Sequence, residues 1–460
     1  MARPGPGARP GREHLGLRPE IFSSRDALAL RPAGRPMCRA SQHALAPSGS
    51  HRLRTGRART RQPHARRAAR SSRGMFSMAQ PTLTIAPNRH ISLESMMRTL
   101  SAQKARADDI IASPAKLRSV DGKLVIAGAV PQLRSDGVTL TDGIYALNDI
   151  ALGGIGDKLK IPVAYLRRMA RENVPLLDYN INGWLENDDR RFLVRCLRED
   201  PASSTGVARA FLSDRYLRID NLDVLLSVLD GIRETGVHVE VASGDLTDRR
   251  MYVRFICPQL QVLAPQLLRD YRSPFDGRRG SDLPIICAGF RLTNSETGFG
   301  RYRLDPFVRM EVCLNGMTID RGVLSRVHLG SRITDDDGII EPSAATIAAE
   351  LEVIKQQTKD AVKAYLDIDF VTRAVRELEK AAGVSVTRPE ETLKVLGQKL
   401  KYSEDQQRDI LAHFISGADL SAGGIMQAVT SYGRSVDDAD VGYQMENTAI
   451  QAMRLAAAAA

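Results

Sequence analysis

The sequence predicts an α+β protein: a mostly antiparallel sheet domain with packed helices, followed by a helical C-terminal region. Three observations carry that expectation. Between about 190 and 330, apolar residues recur with a period of two, as in RFLVRCLR (191–198) and MYVRFIC (251–257), the spacing of a strand with two distinct faces. After 338 the spacing changes to three and four, as in Ile347, Leu351, Ile354, Val362 and Tyr365, the stripe of an amphipathic helix. The first 74 residues are rich in Arg, Ala, Pro, Gly and Ser, and Phe22 is their only aromatic residue. Such a segment buries too little apolar surface to offset its ordering entropy. The expected organisation is a disordered Arg-rich leader over 1–74, an α+β domain over 75–335 with its main sheet at about 190–330, and a helical region over 336–460.

Taken in order, residues 75–120 form a lightly structured entry with one helix, capped by Ser92 before Leu93. Residues 122–131 are strand-like, with Asp121-Gly122 as the turn. Residues 143–173 read as two short helices joined by Gly153-Gly154-Ile155-Gly156. Strands follow at 191–198 and 207–213, then a helix over 220–235 with Asp220 or Asn221 as its cap and Gly236 as its stop. Val237, Val239 and Val241, then Met251, Val253, Phe255 and Cys257, make a hairpin. Residues 258–284 are a Pro-containing loop, and a long hairpin runs from Ile285 to Asn315 with its turn at 295–298. Helical runs cover about 367–382, 389–400, 404–416, 421–433 and 440–456, with breaks at Gly383, Gly417 and near Gly433.

Composition excludes several classes. With 43% hydrophobic and 26% charged residues the chain is neither collagen-like nor wholly disordered. No apolar run approaches the ~20 residues of a membrane-spanning helix. The net charge of +11 divides unevenly: residues 1–74 hold 17 Arg and 3 acids, which is +14, so the remainder is −3. A basic nucleic-acid-binding arm, a targeting peptide, or an over-extended reading frame whose true start is Met75 or Met78 would each give such a leader, and the third is favoured. The five Cys form no CxxC pair, and the eight His form no HxxxH or HExxH pattern. This argues against a disulfide framework, a zinc ribbon or a His-based metal site, and fits thiols in a cytoplasmic, reducing compartment.

Residues 301–315, RYRLDPFVRMEVCLN, present the chemistry most worth testing. Even positions (Tyr302, Leu304, Pro306, Val308, Met310, Val312 and Leu314) make one apolar face. Odd positions (Arg301, Arg303, Asp305, Phe307, Arg309, Glu311, Cys313, Asn315) make the other. Pro306 implies a bulge or an edge position. The polar face is either a half-solvated sheet surface with cross-strand ion pairs or a polyanion-binding surface. In the second case guanidinium forks grip phosphates and Phe307 stacks on a base. A second cluster, Arg209, Ser213, Asp214, Arg215, Tyr216 and Arg218, spans a strand end and a helix start. Either it contacts phosphate there, or it is a turn in which Asp214 pairs with an Arg and Tyr216 packs under the helix.

Catalytic candidates are weaker. Cys313, Asn315 and His328 contain the residue types of a Cys-His-Asn nucleophile site, but spacing alone does not bring them together. Asp305 and Glu311 share a strand face at a separation of ~20 Å, too far to chelate one ion with Glu296 unless the strand bends. Gly153–Lys158 lacks the full phosphate-loop pattern.

The segments SDRYLRIDN and TNSETGFGRYRLDPFVRMEVCLNGM resemble a prokaryotic domain of unknown function, family 932, whose members are often labelled phage/plasmid-related proteins. The resemblance covers roughly residues 140–450 and is carried by Ser213-Asp214-Arg215-Tyr216 with Asn221, by Asn294, Glu296 and Gly298, and by Arg309, Cys313, Asn315 and Gly316. The family's basic-His pair has one residue inserted here, Arg326-Val327-His328. The resemblance implies a bacterial cytosolic protein of mobile elements, a setting in which proteins act on element DNA in replication, recombination or protection.

Together these observations predict a nucleic-acid-binding protein rather than an enzyme, with single-stranded DNA favoured and no cofactor. Arg301, Arg303, Phe307 and Arg309 would be the core contacts and Arg209, Arg215 and Tyr216 a second patch. The acidic C-terminal helices would mediate self-association or mask the sheet, and no membrane is involved. The alternatives are a hydrolase using Cys313 and His328, a metal-dependent nuclease, or a structural assembly protein.

Overall fold

Each element forms where spacing and capping chemistry coincide. In the computed structural model the described residues are 88–129, 132–134, 137–139, 142–319, 323–326 and 343–459. The chain enters as β1 (Asn88–Ile91) and α1 (Leu93–Arg106), whose cap Ser92 accepts a hydrogen bond from Ser95 N. β2 (Ala107–Ala112), β3 (Leu117–Val120), β4 (Lys123–Ile126), the short pair β5 (Gln132–Arg134) and β6 (Gly137–Thr139), and β7 (Gly143–Leu147) follow. Helices α2 (Asp149–Leu159), α3 (Val163–Glu172) and α4 (Val174–Leu185) precede β8 (Phe192–Arg198) and β9 (Thr205–Ser213). Next come α5 (Asn221–Thr235), β10 (Glu240–Leu246), β11 (Met251–Leu263), α6 (Pro265–Leu268), β12 (Ile285–Asn294), β13 (Tyr302–Met310), β14 (Gly316–Thr318) and β15 (Leu324–Arg326). The C-terminal helices are α7 (Ala344–Tyr365), α8 (Ile368–Ala382), α9 (Pro389–Leu400), α10 (Glu404–Gly417), α11 (Ala422–Ser435) and α12 (Ala439–Ala459).

The protein is α+β, with its strands in two larger sheets rather than one. The first has the order β1-β10-β11-β12-β13-β14, with β15 also pairing β13. The second has the order β2-β8-β9-β7-β4-β3 and is antiparallel except for the β7–β9 pair. The hairpin β8–β9 therefore leaves the main sheet expected over 190–330, because β2 and β7 take its two edges. The core of the second sheet lies under α2, α3 and α4, around Leu152, Leu166, Leu177, Phe192 and Phe211.

The glycines of Gly153-Gly154-Ile155-Gly156 lie inside α2 and do not join two helices. A Cβ on Gly154 would overlap the Phe211 carbonyl, so glycine lets α2 lie directly on β9. The break comes instead at Lys160, in left-handed backbone, and Pro162.

The long β12–β13 hairpin forms as expected and keeps one register from Ile286↔Met310 to Thr293↔Arg303. Pro306 makes no bulge. Its carbonyl accepts from Ile319 N on the side away from β12, so its ring nitrogen also faces outward, between the stretches paired with β14 and β15. The missing donor costs no ladder bond there.

The first sheet is covered on both faces. On the apolar face, Met96 of α1 lies against Gly244, and Tyr302 and Leu304 meet Thr358 and Tyr365 of α7. On the polar face, α12 lies across β11 and β12: Tyr443 packs against Tyr252, the rings tilted with centroids 4.6 Å apart, and Glu446 reaches Arg254 and Arg291. The C-terminal helices thus share one core with the sheet. The face expected to stand open is roofed.

Candidate anion-binding cleft

Beside α12 the roof leaves a cleft of about 410 Å³ over the polar face. Its floor is Ala242, Ser243, Arg254, Phe307, Arg309 and Gly316. Thr430, Arg434 and Glu446 hang from the roof, and Arg89, His90, Phe275 and Leu314 stand at the sides. Strand alternation places the floor: Arg254 and Phe307 take the positions opposite to the apolar Phe255 and Val308. Thr430 and Arg434, four apart on α11, fall on one helix face.

Four guanidiniums line this space. Arg254, only 5% exposed, donates to Asp245 Oδ2 at 2.6 Å and to Glu446 Oε1 at 2.9 Å, while its Nη2 is buried with no hydrogen-bond partner. Arg89 donates from Nη1 to the carbonyls of Gly433 (3.1 Å) and Val436, and its Nε, 3.8 Å from Asp245, is likewise buried without a hydrogen bond. Arg309 pairs with Glu311 at 2.8 Å. Arg434 donates to the Cys313 carbonyl and lies 4.4 Å from the Phe275 ring centroid, with no ion pair among the described residues. Glu446 is shared with Arg291 (2.7 Å). Of these four guanidiniums, Arg434 is the one without a carboxylate partner among the described residues.

Burial pulls His90 below the ordinary imidazole range; Asp245 opposes this and Arg89 and Arg254 add to it, so the ring is neutral near pH 7. Burial also lowers Arg89, against the attraction of Asp245. His90 (φ 54°) and Leu314 (φ 56°), both on the rim, are non-glycine residues held in left-handed backbone. Such a conformation costs a side-chain-bearing residue about 1–2 kcal/mol and concentrates at ligand sites. Guanidinium donors, a neutral imidazole and the exposed Phe275 ring suit a ligand with an anionic, phosphate-like group beside a planar one.

The residues expected from the sequence are divided by the structure. Phe307 and Arg309 line the cleft, although Phe307 is 2% exposed, its ring tucked against Gly316 and clustered with Ile256 and Cys287. Arg303 is tied to Asp305 at 2.6 Å. Arg301 and Arg215 are exposed, with no ion pair among the described residues. Arg209 is buried in an ion pair with Glu296, and Tyr216 donates its hydroxyl to the Ser295 carbonyl at 2.7 Å. Neither is a free surface contact: both belong to the joint between the sheets. There Glu296 also accepts from Asn221 N at 2.6 Å, Asn294 donates to Asn221 Oδ1 at 2.9 Å, and fully buried Arg195 joins Asp109, Asp220 and the Glu296 carbonyl. The sequence pattern holding Arg209, Tyr216, Asn221, Asn294 and Glu296 is thus accounted for by architecture.

Cys313 is 1% exposed, and burial pushes its thiol up to about 11, so it is a neutral thiol beside the Tyr271 hydroxyl. Asn315 donates to Tyr271 Oη at 3.4 Å, while His328 lies outside the described residues. Asp305 and Glu311 each serve their own arginines, Arg291 and Arg303 for the first and Arg309 for the second. Arg89, His90, Arg254, Phe275 and Arg434 were not singled out from sequence. Arg254 alternates with apolar neighbours in MYVRFIC, the one local signal available; the others come from distant segments.

No family model, no curated protein and no solved structure matches this chain. No helix among the described residues is long and apolar enough to cross a membrane.

Proposed function

We propose that this protein binds single-stranded nucleic acid, DNA favoured, as a mobile-element protein of phage or plasmid type, and that the cleft is where it grips phosphate. The observation that supports this most is the buried, partnerless Nη2 of Arg254 on the floor of an arginine-lined space. A buried guanidinium donor without an acceptor costs more than about 1 kcal/mol, and in this reading a shift of the Arg254 head toward the cleft brings that donor to a phosphate oxygen. Phe275, which is exposed, offers an apolar surface for a base beside it. Contact is through the cleft, with exposed Arg215 and Arg301 free to meet the backbone outside it.

The test is fluorescence anisotropy of the full chain with a labelled 5′-phosphorylated oligothymidylate, across salt from about 50 to 200 mM. Because residues 1–74 carry 17 Arg, the decisive comparison is with Arg309→Gln. Its floor position is 24% exposed and its loss leaves Glu311 near solvent. Affinity is expected to fall about tenfold, with a salt slope shallower by about one. Identical affinity and slope for the two proteins would refute the assignment.

A further inference from the structure

The roof over the cleft is pinned to the sheet on several sides, and this decides what fits beneath it. On one side Arg89 of β1 is latched to the Gly433 and Val436 carbonyls at the C-terminal end of α11. On another, Arg434 of the same helix end is latched to the Cys313 carbonyl just after β13 and covered by Phe275. Glu446 of α12 clamps Arg254 and Arg291. The turn between α11 and α12 is tight: a Cβ on Gly433 would crowd Met445, and one on Gly442 would crowd Arg89 and the Gly433 carbonyl. These contacts come from β1, β11, β12, the segment after β13, and both roof helices. The space they bound is closed on those sides.

Its size agrees. A space of about 410 Å³ lies within the ~300–1,000 Å³ range of small-ligand sites. A strand-tracking groove instead engages ~4–16 nucleotides. A polynucleotide passing through would need an exit where Arg89 or Arg434 now bridges roof and floor.

We infer that the cleft takes the phosphorylated end of a single strand, one terminal nucleotide with its phosphomonoester, and not the interior of a strand. This deepens the nucleic-acid assignment and rests on it. A terminal monoester presents three non-ester oxygens and a charge of roughly −1.5 to −2 near pH 7, against two oxygens and one charge for an internal diester. Arg254 Nη2 is the donor without a partner on the floor, and Arg309 and Arg434 stand on the same cleft. Both ends of a strand bear the same chemistry when phosphorylated, and so does a free nucleoside monophosphate.

The experiment measures binding of the full chain and of Arg309→Gln to four labelled probes of equal sequence: 5′-phosphorylated, 3′-phosphorylated, hydroxyl-ended, and closed single-stranded circles. The ratio of the two proteins' affinities isolates the cleft from the Arg-rich leader, whose contribution is common to both. A ratio near tenfold on at least one phosphorylated end, falling to within twofold of unity on circles and hydroxyl ends, supports the inference. The end with the larger ratio is the one bound. An equal ratio near tenfold on all four, circles included, overturns end recognition while leaving nucleic-acid binding at the cleft intact. A ratio of unity on every probe overturns both. Competition by thymidine monophosphate separates the two sources of the group. Release of the oligonucleotide from the wild type, with no effect on Arg309→Gln, is expected for a site that holds one nucleotide. Saturable monophosphate binding without any cleft-dependent strand binding would remove the strand from the assignment.

Discussion

Glu446 Oε1 on α12 accepts from Arg254 Nε on β11 at 2.9 Å, with the two side chains 12% and 6% exposed. This pair holds the roof to the middle of the sheet. Removing one partner of a buried ion pair leaves an uncompensated charge and costs about 3–5 kcal/mol. Glu446→Ala is therefore expected to lose that much in urea unfolding, more than its own packing accounts for, because Arg291 loses a partner too. A loss below about 1 kcal/mol would show that the roof is held by apolar contact alone.

The joint between the sheets predicts a contrast among arginines and acids that sequence treats alike. Glu296→Ala strands buried Arg209 and removes the acceptor of Asn221 N, so a loss of about 3 kcal/mol or more is expected. Arg215→Ala and Arg301→Ala sit on exposed positions and should change stability by within about 0.5 kcal/mol. Chemical denaturation of the three variants checks the order.

Gly316 lies where a Cβ would overlap the Phe307 ring, and that ring is boxed by Ile256 and Cys287. Gly316→Ala should cost about 1–3 kcal/mol by overpacking. Adding Phe307→Leu should recover part of the loss, a coupling read from the double-mutant cycle. Strict additivity would mean that the ring moves aside freely.

Thiol chemistry can be tested directly. Cys313 is held as a neutral thiol near pKa 11 by burial, and Cys287 is pushed up to about 12 by burial and by Glu311. Since the thiolate is the reactive form, iodoacetamide at pH 8 should leave both unmodified in the native protein and label them only after unfolding. Rapid native labelling of Cys313 would revive the hydrolase alternative.

His90 predicts a pH dependence of stability. Its folded pKa lies below the ordinary value of about 6.5, chiefly from burial, with Asp245 opposing and Arg89 and Arg254 adding. The unfolded chain therefore holds more protons once pH falls below 6.5. The stability linked to this group is complete above that value and is lost as pH falls through it, and because His90 is exposed, solvent screening keeps the change small. His413, also lowered by burial, acts in the same direction. Thermal unfolding between pH 7 and 5.5 should weaken more in the wild type than in His90→Asn, a replacement that tolerates the left-handed backbone. Parallel curves would show that His90 does not contribute.

Where local chemistry decides the outcome, the sequence was enough. Ser403 with Gln406 closes a capping box at α10, Pro389 opens α9, and Gly236 ends α5 in left-handed backbone; each signal lies within a few residues of the boundary it sets. The period-two stretches likewise determined β11, β12 and β13 and the division of Leu304 and Val308 from Arg303 and Phe307. Gly154 and Gly156 misled because a glycine required for close packing, against β9 for the first and against the start of α3 for the second, looks, in one dimension, like a glycine required for a turn. What no local pattern contained was the second layer over the polar face. Its residues Arg434 and Glu446 meet Arg89 and Arg254 of the sheet, up to 357 positions away, only when α11 and α12 fold back across it. Tertiary packing alone decided which guanidiniums are neutralised by carboxylates, as Arg209 and Arg303 are, and which are left facing a cavity, because burial and ion pairing depend on distance in space and not along the chain.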